Sequence, residues 1–421
     1  MTEGRTASAG GRGDAAWLAG ICASRFLVAL VFTSYAAVLP VLQKEWGMSA
    51  ATAGAVSSAF QVGYAASLVG FNLLADRIGA RPVFLWSSVA GAPAAMAFAL
   101  VAEGPWSAAL LYGLTALLIG GNYTPGLILI AERFPAATRG RATGFFLAAT
   151  SIGYAASLFL TGAVLSHAGW RPALVAASLG PVMGAAAGVW TVWGMPTRVH
   201  PRRAGEGFSS EFLRNPGALL LSAGYAFHSW ELLGMWAWTP SFLSASLIRQ
   251  GQDLGRATGG GARLTALFHL TGFSASLCAG WLSDRFGRTA VIVGMLGVST
   301  ICSFVFGWMV AAPFWILLVV GLVYGFSAVG DSPVLSVALT EVVAPRVLGS
   351  ALAVRSLLGF GAGAIAQTTF GHVLDATNTG PPYAVWGWAY GLLGLGGLAG
   401  LAATVWLRLR PESRRLAGGR R

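Results

Sequence analysis

Twelve runs of mostly apolar residues, each about 20 residues or longer, recur from one end of this 421-residue chain to the other. A run of that length crosses about 30 Å of hydrocarbon as an α-helix, which satisfies all its backbone hydrogen bonds internally. The runs fall near 16–42, 51–74, 81–101, 106–131, 140–166, 172–194, 216–246, 264–283, 289–309, 313–339, 347–373 and 382–408. Apolar residues make up 55% of the chain and charged residues only 10%, whereas soluble domains carry about a quarter charged residues. The first run follows Arg5 and Arg12, as a secretory leader would. It is longer than a leader core and Arg25 interrupts it, so it is predicted to stay as the first helix. Cys22, Cys278 and Cys302 lie in apolar runs without metal-ligand spacing and read as packing residues; no disulfide, metal or cofactor is expected.

The net charge of +12 raises the question of a nucleic-acid partner, and its placement argues against one. With both termini on one side, that side holds twenty arginines, among them Arg77, Arg81, Arg133, Arg139, Arg285 and Arg288. The opposite side holds five basic residues, Lys44, Arg171, Arg249, Arg256 and Arg263. This asymmetry is the positive-inside pattern, so a multi-pass protein of the cell membrane with both termini cytoplasmic is expected. The basic surface then faces anionic lipid.

The stretch 195–215, MPTRVHPRRAGEGFSSEFLRN, is the longest polar interruption and suits a cytoplasmic linker. It divides the chain into residues 1–194 and 216–421, with six runs each and a basic tail on the second. The halves repeat. LLADRIGARP at 73–82 returns as WLSDRFGRTA at 281–290, at an offset of 208. An offset of 209 pairs Gly121 with Gly330, Asn122 with Asp331 and Glu132 with Glu341. The matched positions are the polar ones inside apolar helices. The expected fold class is therefore all-α integral membrane, with twelve transmembrane helices in two pseudo-symmetric six-helix bundles.

The two repeated loops resemble the G-x-L-a-D-R-x-G-x-R signature between helices 2 and 3 of the major facilitator superfamily. The second copy keeps Gly280, Leu282, Asp284, Arg285, Gly287 and Arg288, the last one place early. The first keeps Leu74, Asp76, Arg77, Gly79 and Arg81, with Asn72 where the family prefers Gly. AERFPAATRGRATG at 131–144 and GWRPAL at 169–174 also resemble family loops. The resemblance covers the whole chain. It implies that Asp76, Arg77, Asp284 and Arg285 gate the cytoplasmic side, through bridges made in one state and broken in the other; anchoring of helix ends is the plainer alternative. Glu132 and Glu341, at inner helix ends, are expected to be salt-bridge partners there. The fifth helix, TSIGYAASLFLTG, lacks the Gly-Pro signature of the family's drug–proton antiporters.

A charge within the bilayer costs about 2.5–3.5 kcal/mol on insertion scales, so each needs a reason. Four lie inside the predicted spans: Arg25, Glu231, Asp331 and Arg355. At 1.5 Å per residue, Arg25, Asp331 and Arg355 sit roughly 12–14 Å from the basic face, and Glu231 about 22 Å. Arg25 and Arg355 are candidates to grip an anionic substrate group, because guanidinium matches carboxylate in a bidentate fork. The alternative is structural ion pairing, for instance of Arg355 with Asp331. Asp331 and Glu231 are candidates for proton coupling, since a carboxylate withdrawn from water can load a proton near neutral pH. Structural pairing again stands as the alternative.

In helix 7, YAFHSWELLGMWAWTP, His228 and Glu231 share a face and Trp238 follows two turns later. His228 is a candidate polar contact or proton relay and Trp238 a candidate substrate contact; both also suit packing. Asn122 could hydrogen-bond substrate or join helices 4 and 5. His269, which the repeat pairs with Gln61, reads as structural. Together these features predict a monomeric secondary transporter, moving a small organic anion coupled to protons by alternating access. An exporter of amphipathic compounds, built on the tryptophan-rich helix 7, is the second reading, and a non-transporting receptor the third. No phosphate loop, nucleophile motif or metal cluster points to an enzyme.

Overall fold

The computed structural model of the chain describes residues 6–199, 210–344 and 347–419. The middle of the predicted linker, 200–209, with Arg202 and Arg203, lies outside the described residues, as do Arg5, Arg346, Arg420 and Arg421. Regular structure among the described residues is helical. The elements are α1 (Thr6–Val28), α2 (Ser34–Glu45), α3 (Ala50–Ile78), α4 (Ala80–Val101), α5 (Pro105–Ile119), α6 (Thr124–Arg133), α7 (Ala136–Ala168) and α8 (Trp170–Val192). A short α9 (Ser210–Leu213) precedes α10 (Pro216–Arg249), α11 (Leu254–Phe286), α12 (Arg288–Phe306), α13 (Phe314–Val342), α14 (Leu348–Thr377) and α15 (Gly387–Leu409).

Ten helical stretches among the described residues are long and apolar enough to cross a membrane, with α1–α2 and α5–α6 each counted as one. The 3-10 turns Ala29–Val31 and Gly120–Asn122 join those pairs. α10 and α11, at 34 and 33 residues, are as long as the longest of these but carry more polar side chains. The surface is apolar, with Trp86, Trp106, Trp190, Trp281, Trp315 and Trp388 all exposed. A face of that kind suits hydrocarbon and would aggregate in water.

Local chemistry accounts for the ends. Ser49 caps α3 by accepting from Thr52 N, and Asn215 caps α10 by accepting from Ala218 N. Proline opens α5 and α10, where its missing N–H costs nothing. Single glycines at φ +90° (Gly79) and +95° (Gly287) reverse the chain between α3 and α4 and between α11 and α12. These are the equivalent glycines of the two repeated loops, and the left-handed region they occupy is closed to most side chains. α11 differs from its expected start near 264. Asp253 caps it by accepting from Arg256 N, and the glycine-rich stretch 254–263 is helical because it packs against α7 and α10.

The helices before residue 200 pack chiefly on one another, as do those after 210, and α3 with α14 and α7 with α11 form the main contacts between the sets. These contacts are closest at the end away from the repeated loops. A Cβ at Gly54 or Gly371 would collide with the carbonyl of Gln367 or Ala50, and Gly162 and Gly259 face each other as closely. At the opposite, arginine-rich end the sets stand apart around a cavity of about 510 Å³.

Candidate functional site

Arg25 sits in the last turn of α1, just before the 3-10 break, and is only 2% exposed. Its Nε donates to Thr150 Oγ1 at 2.8 Å on α7 and its Nη2 to Tyr64 Oη at 3.3 Å on α3. The guanidinium carbon lies 4.8 Å over the Tyr123 ring. Among the described residues no carboxylate pairs with it. A buried charge held only by neutral hydroxyls and an aromatic face is costly unless an anion joins it.

Arg355, half-buried on α14, donates from Nη1 to Ser336 Oγ at 2.6 Å and lies 4.0 Å above the Tyr225 ring of α10. Its Nε is buried without an acceptor among the described residues. The Arg355–Asp331 pair, raised as the structural alternative, does not form. Tyr225, one turn before His228, holds the guanidinium on its face, and Asp331 meets His228 instead. His228 Nδ1 lies 2.8 Å from Asp331 Oδ1, with side chains 3% and 0% exposed. This is ionic contact when the ring is protonated; neither carboxylate oxygen receives an aligned hydrogen bond among the described residues. The Tyr225 ring, 5.5 Å from that of His228, links this pair to Arg355.

Arg355 and Tyr123 both line the 510 Å³ cavity, together with Asp76, Asn72 and Ser350. Tyr123 also carries the Arg25 guanidinium on its ring, so it stands between Arg25 and the cavity. The cavity thus has the size of a small-ligand pocket, with one arginine on its wall and a second behind a shared tyrosine. The tyrosines and Thr150 were not singled out in the sequence, where a tyrosine in an apolar run looks like any other aromatic.

Three other expected site residues point elsewhere. Glu231 is buried within the C-terminal set, accepting from Ser299 Oγ at 3.1 Å and Ser303 Oγ at 2.7 Å, both on α12. The i, i+3 spacing to His228 leaves room for the two side chains to diverge, and they do. Trp238 is 0% exposed, stacked 5.2 Å from Phe370 and donating to the Gln367 carbonyl at 3.0 Å. It is core and does not reach the cavity. Asn122, a candidate substrate contact or a join between helices 4 and 5, instead donates to Ser24 Oγ and Ser88 Oγ at 3.2 and 3.1 Å, joining α1 and α4 to the α5–α6 break.

At the arginine-rich end the second loop centres on Arg288. Its Nη1 lies 2.5 Å from Asp284 Oδ1 and its Nη2 2.9 Å from Glu341 Oε1. Glu341 therefore takes the salt-bridge role expected of it, and its other oxygen accepts from Ala417 N. Arg285 is exposed and lies over the rings of Trp281 and Phe286 of its own helix. The bridging role expected of Arg285 is filled by Arg288, because a residue one place into α12 faces α13 while Arg285 faces outward. In the first loop Asp76 lines the cavity and Arg77 is exposed. Arg81 Nε donates to the Val192 carbonyl at 3.0 Å.

The family model of the Major Facilitator Superfamily matches residues 21–255 and 241–421. The chain belongs to the major facilitator superfamily. A probable transporter of Streptomyces coelicolor is 29% identical over 89% of this chain and 81% of its own. A gallate transporter of Pseudomonas putida is 26% identical over 63% of this chain and 64% of its own, just under two thirds of that relative's length. A niacin transporter of Acinetobacter baylyi is 22% identical over 64% and 67%. The fold matches that of the nucleoside transporter NupG with a TM-score of 0.71 and 14% identity, covering 94% of this chain and 99% of that one. A peptide transporter in complex with sulfate matches with a TM-score of 0.75 at 15% identity, covering 95% and 96%. This superfamily member is a multi-pass membrane protein, and its relatives of named function are transporters.

Proposed function

We propose that this protein is a secondary transporter that moves a small organic anion, an aromatic carboxylate, by alternating access coupled to protons. The observation that carries the reading is Arg25, buried without a carboxylate partner among the described residues and surrounded by Tyr64, Tyr123 and Thr150. A carboxylate entering the cavity would meet Arg355 on its wall and, past the Tyr123 ring, Arg25, while its own ring would lie among tyrosines. The names of two relatives, for gallate and for niacin, favour the same substrate class. In this reading residues 1–194 and 216–421 are two six-helix halves, with α10 and α11 completing twelve spans. The arginine-rich end, with both termini, is cytoplasmic, and the cavity opens inward. The His228–Asp331 pair takes the proton. Charging or neutralising it changes the field at Tyr225 and Arg355, which ties proton binding to anion binding.

Trp238 lies in the core and the tryptophan-rich pocket of an amphipathic exporter is not formed around it, which favours the anion reading. The test is uptake of radiolabelled benzoate and nicotinate by the protein in liposomes under an inward proton gradient. Accumulation that Arg25→Ala abolishes is expected. Wild-type transport of neutral or cationic compounds only would refute the anion reading.

A further inference from the structure

Two buried glutamines, one from each set of helices, face a small cavity beyond Arg25 toward the closed end. Gln61 on α3 is 7% exposed and Gln367 on α14 is 2% exposed. Gln367 Nε2 donates to the Leu233 carbonyl at 3.1 Å, but its Oε1 has no donor among the described residues, and neither has Gln61 Oε1. Both side chains line a cavity of about 30 Å³, bounded by Phe32, Phe60 and Trp236. Buried acceptors are rarely left without donors, and each such group asks for an explanation.

Their position relative to Arg25 supplies one. Gln61 precedes Tyr64, the Arg25 partner, by three residues, so it stands about 4.5 Å further along α3 on the same face. Rings line the interval. Phe32 lies 5.2 Å from Tyr64 and 4.4 Å from Tyr154, and Tyr154 lies 5.6 Å from Trp236. The Phe360 ring, two turns before Gln367 on α14, packs 5.1 Å from Tyr64. Going outward, a ligand would meet a guanidinium, then aromatic faces, then two amide carbonyls. The cavity has room for about one water-sized group, so it fits a polar tip and excludes a ring. His269, the repeat partner of Gln61, lies behind Trp236 with rings 4.5 Å apart and does not line the cavity.

We propose that Gln61 and Gln367 form a specificity subsite that reads a hydrogen-bond donor, a hydroxyl or N–H, on the substrate ring opposite the carboxylate held by Arg25. The inference rests on the aromatic-carboxylate reading above and adds to it which ring substituent is selected. A site with waiting acceptors gains from a ligand that supplies donors and loses little when a smaller ligand leaves them as they are. The selectivity therefore appears between two ligands that differ by one hydroxyl.

The experiment is calorimetric titration of the purified full-length chain in detergent with benzoate and with 4-hydroxybenzoate, for wild type, Gln61→Met and Gln367→Met. Wild type is expected to bind 4-hydroxybenzoate about tenfold more tightly, or about 1.4 kcal/mol. Each variant is expected to bring the ratio close to one while keeping benzoate affinity, which also reports correct folding. A wild type without the preference overturns the subsite, and this outcome depends on no variant. So does a variant that keeps the preference, or one that weakens both ligands equally. A wild type that binds neither compound refutes the aromatic-carboxylate reading itself, a result distinct from either.

Discussion

Asp375, near the end of α14, bridges the two sets of helices at the end away from the repeated loops, the outer end in the proposed topology. Its Oδ1 accepts from Ala50 N and its Oδ2 from Ala51 N, both at 2.8 Å. These are the first two N–H groups of α3, which have no partner within the helix. Ser49 takes the third, from Thr52, at 3.1 Å. Removing Asp375 therefore leaves α3 with its own cap and loses a contact across the gap, which an opening of that end in the proposed alternating access would break. Loss of an N-terminal acidic acceptor costs about 0.5–2 kcal/mol. Because the bond is charge-assisted, part-buried and bidentate, the upper two thirds of that range, about 1–2 kcal/mol, applies here. By the tenfold-per-1.4 kcal/mol relation, Asp375→Ala should raise the outward-open population about 5- to 30-fold. The readout is a cysteine at Ser57, a residue 6% exposed beside the glutamine cavity, in a chain whose three native cysteines are replaced. Its labelling by a membrane-impermeant maleimide from outside should accelerate by the same factor. Ser49→Ala weakens the helix cap without crossing the gap and should leave the rate nearly unchanged. Equal acceleration in both variants, or none with Asp375→Ala, would refute the latch.

Asp331→Asn should stop accumulation driven by a pH gradient while preserving substrate exchange at equal concentrations, and His228→Gln should do the same; intact accumulation in both would move the coupling to Glu231. Arg288→Ala removes bridges to Asp284 and Glu341 together and should lower the melting temperature by about 2–4 °C, equivalent to about 1 kcal/mol, whereas Arg285→Ala should leave it nearly unchanged. Gly79→Ala forces a side chain to φ +90° and against the Thr197 methyl and the Arg198 carbonyl, and should cost more than about 1 kcal/mol in thermal unfolding. A cysteine at Gly205 should resist impermeant reagents in intact cells and react in inverted vesicles; reaction in intact cells would reverse the proposed topology.

The helices themselves were legible in the sequence, because lipid offers the backbone no hydrogen bonds and an apolar run of sufficient length can only become helical. The turns were legible for a related reason. Gly79 and Gly287 recur at one offset, and only glycine sits easily at their φ. Glu341 could be placed at the arginine-rich end from its position in the repeat, although Arg288 as its partner could not. What the sequence left open is the direction each polar side chain faces within the bundle. Successive residues on a helix point about 100° apart, so a small rotation, set by where glycines let neighbouring helices approach, moves a side chain between cavity and core. Packing of this kind gave Asp331 to His228 and left Arg355 on Tyr225. It turned Glu231 toward Ser299 and Ser303, and closed Trp238 and Asn122 into the interiors of their sets. The same packing gathered Tyr64 of α3, Tyr123 of the α5–α6 break and Thr150 of α7 around Arg25. No local pattern encodes that meeting, because it exists only once the helices are assembled.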